Sequence, residues 1–243
     1  MRILAYANLT KKHYFEKTKL IIDKLAKHHE VFCYDHGSEL GLKGYRGEEV
    51  ELIVSIGGDG TLLRAGKLAI SLNVPIVGIN GGRLGYLCAY GFKEFLKEDA
   101  DFKKLKISER SLLEYGGHLA INEFMVTAKN YGSTIDLKMV AGEDFLYRAN
   151  GLIISTPTGS TGINASAYGK VIGTHEKSFA LTPICPCAYQ KEGLVIGDDA
   201  SIEVYSNRKG EAGDIYCDGV IIGSFKDYAV FRKSSLKLKL LVK

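Results

Sequence analysis

The run Val50-Glu-Leu-Ile-Val-Ser-Ile56 is almost unbroken in apolar residues and stops at Gly57-Gly58-Asp59-Gly60. A strand with little alternation is buried on both faces, and such strands belong to parallel sheets covered by helices. The next stretch, residues 61–72 (TLLRAGKLAISL), has helical spacing, so the glycines mark a strand-to-helix turn. Earlier segments repeat the pattern. Residues 2–6 read as a short strand, and 11–29 place Tyr14, Phe15, Ile21, Ile22 and Leu25 on one helical face. Residues 31–34 and 74–79 read as strands, and the glycine-rich, charged stretch 35–49 as a loop. The order predicts an α/β domain with a parallel sheet over residues 1–95.

After that the character changes. The charged segment 92–106 (FKEFLKEDADFKKLK) reads as a helical bridge. Short strand-like segments follow, among them SLLEYGGHLAINEFMVTA, STIDLKMVAG and EDFLYRANGLIIST, with turn residues between them. This predicts a β-rich second domain over 96–225. A last strand in 226–243 would be free to return to the first domain.

The bulk numbers narrow the function. The chain has 243 residues with net charge +4, and its lysines are spread along it. No basic block argues for nucleic acid, whereas a mild positive balance suits an anionic small molecule. The five cysteines form no C-x-x-C pair, which favours a reducing compartment over disulfides or zinc. No apolar run reaches the roughly 20 residues that cross a bilayer, and the first residues run straight into charge. A cytoplasmic protein that binds no membrane is the expectation. Cys185-Pro-Cys187 reads as buried packing. His28-His29, at a helix end, is expected to meet the helix dipole.

Three loops carry candidate chemistry. Gly57, Gly58 and Gly60 let the backbone approach a ligand, and their amides with the helix N-terminus form a phosphate cradle. Asp59 in that cradle suits a base for an attacking hydroxyl, or a ligand to a metal that neutralises phosphates. The alternative is a turn in which Asp59 caps the helix, and Thr61 could cap it or bond a phosphate oxygen. Residues 151–162 (GLIISTPTGSTG) again end a strand in a loop, rich in hydroxyls and glycines and stiffened by Pro157. That loop suits sugar hydroxyls or phosphates, or it is a plain hairpin turn. A third turn, GINGGRLGYL (78–87), offers Asn80 and Arg83, and INEF (121–124) sets Asn122 beside Glu123. Neighbours on a strand face opposite ways, so one of this pair would need a partner, unless the two form a bulge or a surface pair.

The segments GGDGTLLRA, GINGGRLGYL, NEFMVTA, GLIISTPTGSTG, LTPICP and CDG occur in the order found in one family. The chain resembles the ATP- or polyphosphate-dependent NAD kinases over nearly its whole length. GGDGT alone is shared with phosphofructokinases and lipid kinases of the diacylglycerol kinase-like superfamily, but TPTGST downstream of NE is more specific. The resemblance implies transfer of the γ-phosphoryl group of ATP to the 2′-hydroxyl of the adenosine ribose of NAD. It makes Asp59 the proton acceptor and Gly57, Gly58, Gly60, Thr61 and Arg64 the phosphate loop. It places Asn80, Tyr86, Asn122, Glu123, Arg148, Asn150, Thr158, Thr161, Gly162, Ile163, Asn164, Ala165 and Ser166 at the substrate. It further implies Mg²⁺ or another divalent ion, and homodimers or homotetramers. A lipid or sugar kinase of the superfamily, and a dinucleotide-binding regulator without catalysis, are the alternatives. The chain departs from the family pattern at Asn150 (usually Asp), Gly162-Ile163 (usually Ala-Tyr), Cys187 (usually His) and Val220 (usually Gln).

Overall fold

A computed structural model describes the chain apart from residues 8, 10, 11, 36, 38, 83, 84, 99, 131, 142, 143, 188–192 and 207–212. Two units result: Met1–Glu109 with Leu238–Lys243, and Arg110–Lys237.

The first unit is built on β1 (Arg2–Ala7), β2 (Glu30–Cys33), β3 (Lys43–Gly44), β4 (Leu52–Gly57) and β5 (Ile76–Asn80). They lie in the order β3-β2-β1-β4-β5, all parallel. Every residue of β4 and β5 is buried, which is why the apolar run of β4 does not alternate. Helices α1 (Lys12–Ala26) and α2 (Asp59–Leu72) supply covering faces, and Ile21, Ile22 and Leu25 of α1 enter the core beside Ile3, Val54 and Val77. The left-handed Asn73 ends α2. The short β6 (Tyr90–Gly91) pairs with β5.

The 92–106 bridge is not one helix. It divides into α3 (Phe92–Lys97), a 3₁₀ turn at Phe102–Lys104 and the start of β7 (Lys106–Tyr115). Phe95 and Phe102 are pulled into the core, stacked at 6.2 Å, and this fixes the break. His29 packs at 6.2 Å from Phe102, and burial lowers its pKa. The expected interaction of a charged imidazole with the helix end gives way to packing.

The second unit is antiparallel. After β7 and β8 (His118–Ala120) come β9 (Glu123–Ala128), β10 (Ile135–Val140), β11 (Asp144–Ala149) and β12 (Gly151–Ser155). A short α4 (Ile163–Ser166) precedes β13 (Ser178–Ile184), β14 (Leu194–Gly197), β15 (Ile202–Ser206), β16 (Gly213–Cys217), β17 (Val220–Phe225) and β18 (Tyr228–Val242). One sheet runs β14-β13-β12-β9-β16-β17, and β11-β10-β15-β18 form another row. Phe124, Leu152 and Phe179 of the first meet Leu137, Val204 and Phe231 of the second in one core. The stretch EDFLYRANGLIIST is therefore two strands of different sheets, β11 and β12, parted at Asn150. The last residues of β18 lie in the first unit, where Leu240 pairs in parallel with Ile76 of β5. Among the described residues no helix is long and apolar enough to cross a membrane.

Candidate functional site

Gly57 closes β4 and Asp59 opens α2, so the carboxylate sits on the helix's first turn and not in mid-loop. Helix α2 starts from Gly58, and no side chain caps it. Neither Asp59 nor Thr61 takes the capping role. Thr61 is buried instead, and a Cβ at Gly57 would run into its hydroxyl, so glycine is required there for close approach. The Asp59 carboxylate turns to the 86–88 segment. It accepts the amides of Tyr86 (2.9 Å) and Leu87 (3.3 Å), and the Cys88 thiol lies 3.9 Å away. Burial, then Asp59, pushes that thiol up to about 12, so it stays protonated.

Register places Asn80, the last residue of β5, opposite Gly57. Asn80 Oδ1 accepts the Gly82 amide at 2.8 Å and folds the GINGG turn back. Tyr14 of α1 lies against Gly81 and Gly82, and Lys17 Nζ donates to the Gly81 carbonyl at 2.7 Å. A Cβ at Gly85 would collide with the Asp59 carboxylate. Arg64 is exposed on α2, and the Tyr86 side chain is 83% exposed while its amide holds Asp59. Arg83 lies outside the described residues. This corner is thus a glycine-lined end of a buried parallel strand, with one half-buried carboxylate pinned by two amides.

In the second unit the expected pair does not share a strand. Asn122 sits in the bend before β9, and Glu123 is the strand's first residue. The bend is held by Asp218, which composition had not singled out as a site residue. Asp218 and Gly219, both at positive φ, make the two-residue turn between β16 and β17. The Asp218 carboxylate accepts the amides of Ile121 (3.1 Å), Asn122 (2.8 Å) and Glu123 (3.3 Å). An Asp-Gly dipeptide between two apolar runs was the available signal for this turn.

Thr156 clamps the same bend from the other side. Its amide donates to the Asn122 carbonyl (2.8 Å) and its hydroxyl to the Ile121 carbonyl (2.6 Å). A Cβ at Gly159 would strike the Asn122 backbone. The backbone of Asn122 is fully engaged, whereas its Oδ1 and Glu123 Oε2 are buried acceptors that meet no donor among the described residues. Burial, with Asp218 as a second cause, pushes Glu123 up to about 7. Two unpaired acceptors on adjacent residues each invite a ligand that brings a donor, since each unmet group costs about 1–3 kcal/mol.

The TPTGST loop is not a hairpin turn. It winds through a 3₁₀ turn (Gly159–Thr161) into α4. Thr158 is buried at its start, and Thr161 Oγ1 donates to the Thr158 carbonyl at 3.4 Å. Asn164 ties the loop down: its amide donates to the carbonyls of Ser160 (3.1 Å) and Lys170 (3.0 Å), and its Oδ1 accepts the Thr182 hydroxyl at 2.7 Å. Asn164 thus shapes the loop, while Ile163 is 43% exposed.

Ile163 lines two cavities of the second unit. One, of about 610 Å³, adds Ser166, Ala167, Tyr168 and Ile184; the other, of about 410 Å³, adds Asn150, Asn130 and Tyr216. Asn150 donates from Nδ2 to the Ser133 carbonyl. Arg148 is held in a two-pronged pair with Asp136, at 2.6 and 2.9 Å. Gly162 and Ala165 lie in the same turn, with the Ser166 hydroxyl 3.5 Å from the Gly162 carbonyl. Cys185 and Cys187 are both exposed, contrary to the buried packing expected of them, because they follow the end of β13. Cys185, at φ 45°, lines both cavities. Among the described residues no group of three or more His, Cys, Asp or Glu is placed to hold a metal.

Residues 8–102 match the family model of the ATP-NAD kinase N-terminal domain, and residues 121–242 that of the ATP-NAD kinase C-terminal domain. The NAD kinase of Christiangramia forsetii is 36% identical over 199 residues, which is 76% of this chain and 68% of that protein. An NAD kinase from Archaeoglobus fulgidus, solved in complex with ATP, superposes with a TM-score of 0.77 at 26% identity, covering 99% of this chain and 93% of that one. The yeast NADH kinase, solved with NADH, gives a TM-score of 0.84 at 20% identity over 100% of this chain and 83% of its own, a likeness of fold.

Proposed function

The chain belongs to the NAD kinase family, and on that premise we propose that it transfers the γ-phosphoryl group of ATP, or a phosphoryl group of polyphosphate, to the 2′-hydroxyl of the adenosine ribose of NAD. One observation carries the reading most directly. The Asp59 carboxylate is held by the amides of Tyr86 and Leu87 at the glycine-lined end of β4. A ribose hydroxyl is a weak nucleophile, and a carboxylate fixed in orientation is positioned to take its proton as the bond to phosphorus forms. Gly57, Gly58 and Gly60 with the first turn of α2 receive the donor phosphates, Thr61 packs the turn beneath them, and Arg64 adds charge from the helix surface.

The acceptors Asn122 Oδ1 and Glu123 Oε2 take the hydroxyls of the dinucleotide's ribose, which turns two unmet groups into partners. Ile163, Ser166 and Asn150 line the wall for the remainder of the dinucleotide, with Gly162, Asn164 and Ala165 setting the shape of that wall. Thr158, Thr161, Asn80, Tyr86 and Arg148 complete the proposed contacts. A divalent ion would be held by Asp59 together with the donor phosphates. The residues present fit an ion of that kind, since magnesium is commonly bound through one or two carboxylates and substrate phosphates, and Asp59 is the carboxylate of the loop. Bound there, the ion would supply neutralisation of phosphate charge.

Association into a homodimer or homotetramer belongs to the reading, supported by Val220 and Ile221, which stand exposed on the edge strand β17. A reducing, cytoplasmic setting suits the five free cysteines.

The test is an endpoint assay. The protein is incubated with NAD, Mg²⁺ and ATP, or polyphosphate, and NADP is read with an NADP-specific dehydrogenase. Wild type gives product and Asp59→Asn gives about 10²–10⁴-fold less, the usual contribution of a general base. Absence of NADP from wild type with every donor overturns the reading.

A further inference from the structure

Three tyrosines stand level at the carboxyl ends of three adjacent parallel strands of the first unit, Tyr6 within β1 and Tyr34 and Tyr45 one residue past β2 and β3. Ala5 is the partner of Cys33, and Cys33 of Gly44. One residue further on, the ladder continues: the Tyr34 amide donates to the Ala5 carbonyl (3.0 Å) and the Tyr45 amide to the Cys33 carbonyl (2.8 Å). Tyr6, Tyr34 and Tyr45 are therefore neighbours across β1, β2 and β3 at their carboxyl ends. The rings of Tyr6 and Tyr34 stack with centroids 5.2 Å apart and planes at 28°. Those of Tyr34 and Tyr45 follow at 6.5 Å and 31°.

The row leads to the glycine loop. Tyr6 is the register partner of Ser55 in β4, and Gly57 is two residues beyond Ser55. With strands about 4.8 Å apart, Tyr6 stands one strand and Tyr34 two strands from β4. In open α/β sheets this carboxyl edge is where ligands bind. The row is open to a ligand as well, since Tyr34 is 41% exposed and Tyr6 and Tyr45 are half-buried.

We propose that this tyrosine row seats the base of the phosphoryl donor: a purine nucleotide stacks its ring on Tyr34 while its phosphates enter the Gly57–Gly60 loop. The proposal rests on the phosphotransfer reading and adds to it a subsite for the donor's base. Stacking on an aromatic face tolerates any base and favours the larger ring. The donor preference is then purine over pyrimidine, with ATP and GTP alike, and a donor without a base forgoes the row.

The test is calorimetric titration of the full-length protein with MgATP and, separately, with inorganic triphosphate. Tyr34→Leu keeps apolar bulk and removes the π face, and Tyr34→Phe keeps the face. The expected result is a Kd for ATP raised about tenfold in Tyr34→Leu, with the Kd for triphosphate within about twofold of wild type and Tyr34→Phe indistinguishable from it. Because the chain has 14 tyrosines and no tryptophan, tyrosine emission gives a second readout: ATP quenches it in wild type and triphosphate does not. Equal weakening of ATP and triphosphate, a change under twofold for ATP, or weakening of NAD in place of ATP overturns the proposal. So does failure of ATP to bind the wild type. These are binding measurements, independent of NADP formation. A protein that binds ATP through Tyr34 yet makes no NADP overturns the proposed acceptor and leaves the row standing.

Discussion

Glu123 is 6% exposed, with one carboxylate oxygen that meets no donor among the described residues and Asp218 close by. Its pKa, pushed up to about 7, lies above that of an unfolded glutamate. A group raised in the folded state favours folding below its unfolded value and loses that contribution as pH rises through the folded one. Between about pH 4.5 and 7, stability should therefore fall, by an order of magnitude of 3 kcal/mol. Glu123→Gln removes this dependence. Its melting temperature should exceed that of wild type increasingly from pH 5 to pH 8, and a constant difference across that range would refute the assignment. At Gly85 the argument is steric. An added methyl meets an Asp59 carboxylate that two amides already fix, so Gly85→Ala should lower kcat about 10²-fold through misplacement. KM for NAD should stay within about twofold, as steady-state kinetics would show. Asp59 stood out in the sequence as the one charged residue among Gly57, Gly58 and Gly60, and Asn122 with Glu123 as a polar pair between apolar residues. Asp218 and the Tyr86 amide did not, since their partners lie 96 and 27 residues away in sequence.

At the scale of elements, the loop after β12 is held from within by one side chain. Asn164 is fully buried and joins Ser160, Lys170 and Thr182 through three hydrogen bonds. Asn164→Ala leaves the Ser160 carbonyl and the Thr182 hydroxyl unmet in the interior and should cost about 3 kcal/mol, several degrees in a melt. It should also raise KM for NAD more than it lowers kcat, because the wall around Ile163 loosens while Asp59 is untouched; a pure kcat effect would contradict this. Asn150 gives a second case. Its Nδ2 donates to the Ser133 carbonyl, a bond that a carboxylate cannot make. Asn150→Asp, although it restores the residue usual in the family, should lower the melting temperature here. An unchanged or higher value would show that the Ser133 contact contributes nothing. The strand β4 was legible from its apolar run alone. The division of 144–155 into strands of two sheets was not, because a period of two reports that a strand exists and is silent on its neighbours. The 92–106 segment misled for the converse reason, since charge at helical spacing counted for less than burial of Phe95 and Phe102.

On the scale of the whole molecule, the final strand does double service. Along β18, Phe231 pairs antiparallel with Ile202 of β15, and further on Leu240 pairs in parallel with Ile76 of β5. The alternation in KLKLLVK marks a strand with one wet face, but the partner of that strand was not written in it. Leu238, Leu240 and Leu241 are all buried. Lys243 Nζ stands 4.3 Å from the Tyr90 ring centroid and pairs with Glu94 and Glu98. Each leucine contributes roughly 1.5–3 kcal/mol by burial, whereas the exposed ion pairs add little. A variant ending at Lys237 therefore loses several kcal/mol from the first unit and nothing from the core of the second. Hydrogen exchange should report this as faster exchange in β4 and β5, with β9 and β12 still protected, because units opened separately exchange separately. Equal loss of protection in both units would mean that they unfold as one. No loss in either would mean that β18 is held in the first unit by nothing that its leucines bury. Between those outcomes lies the expected one, in which the strand Leu52–Gly57 that presents the glycine loop depends on six residues from the far end of the chain.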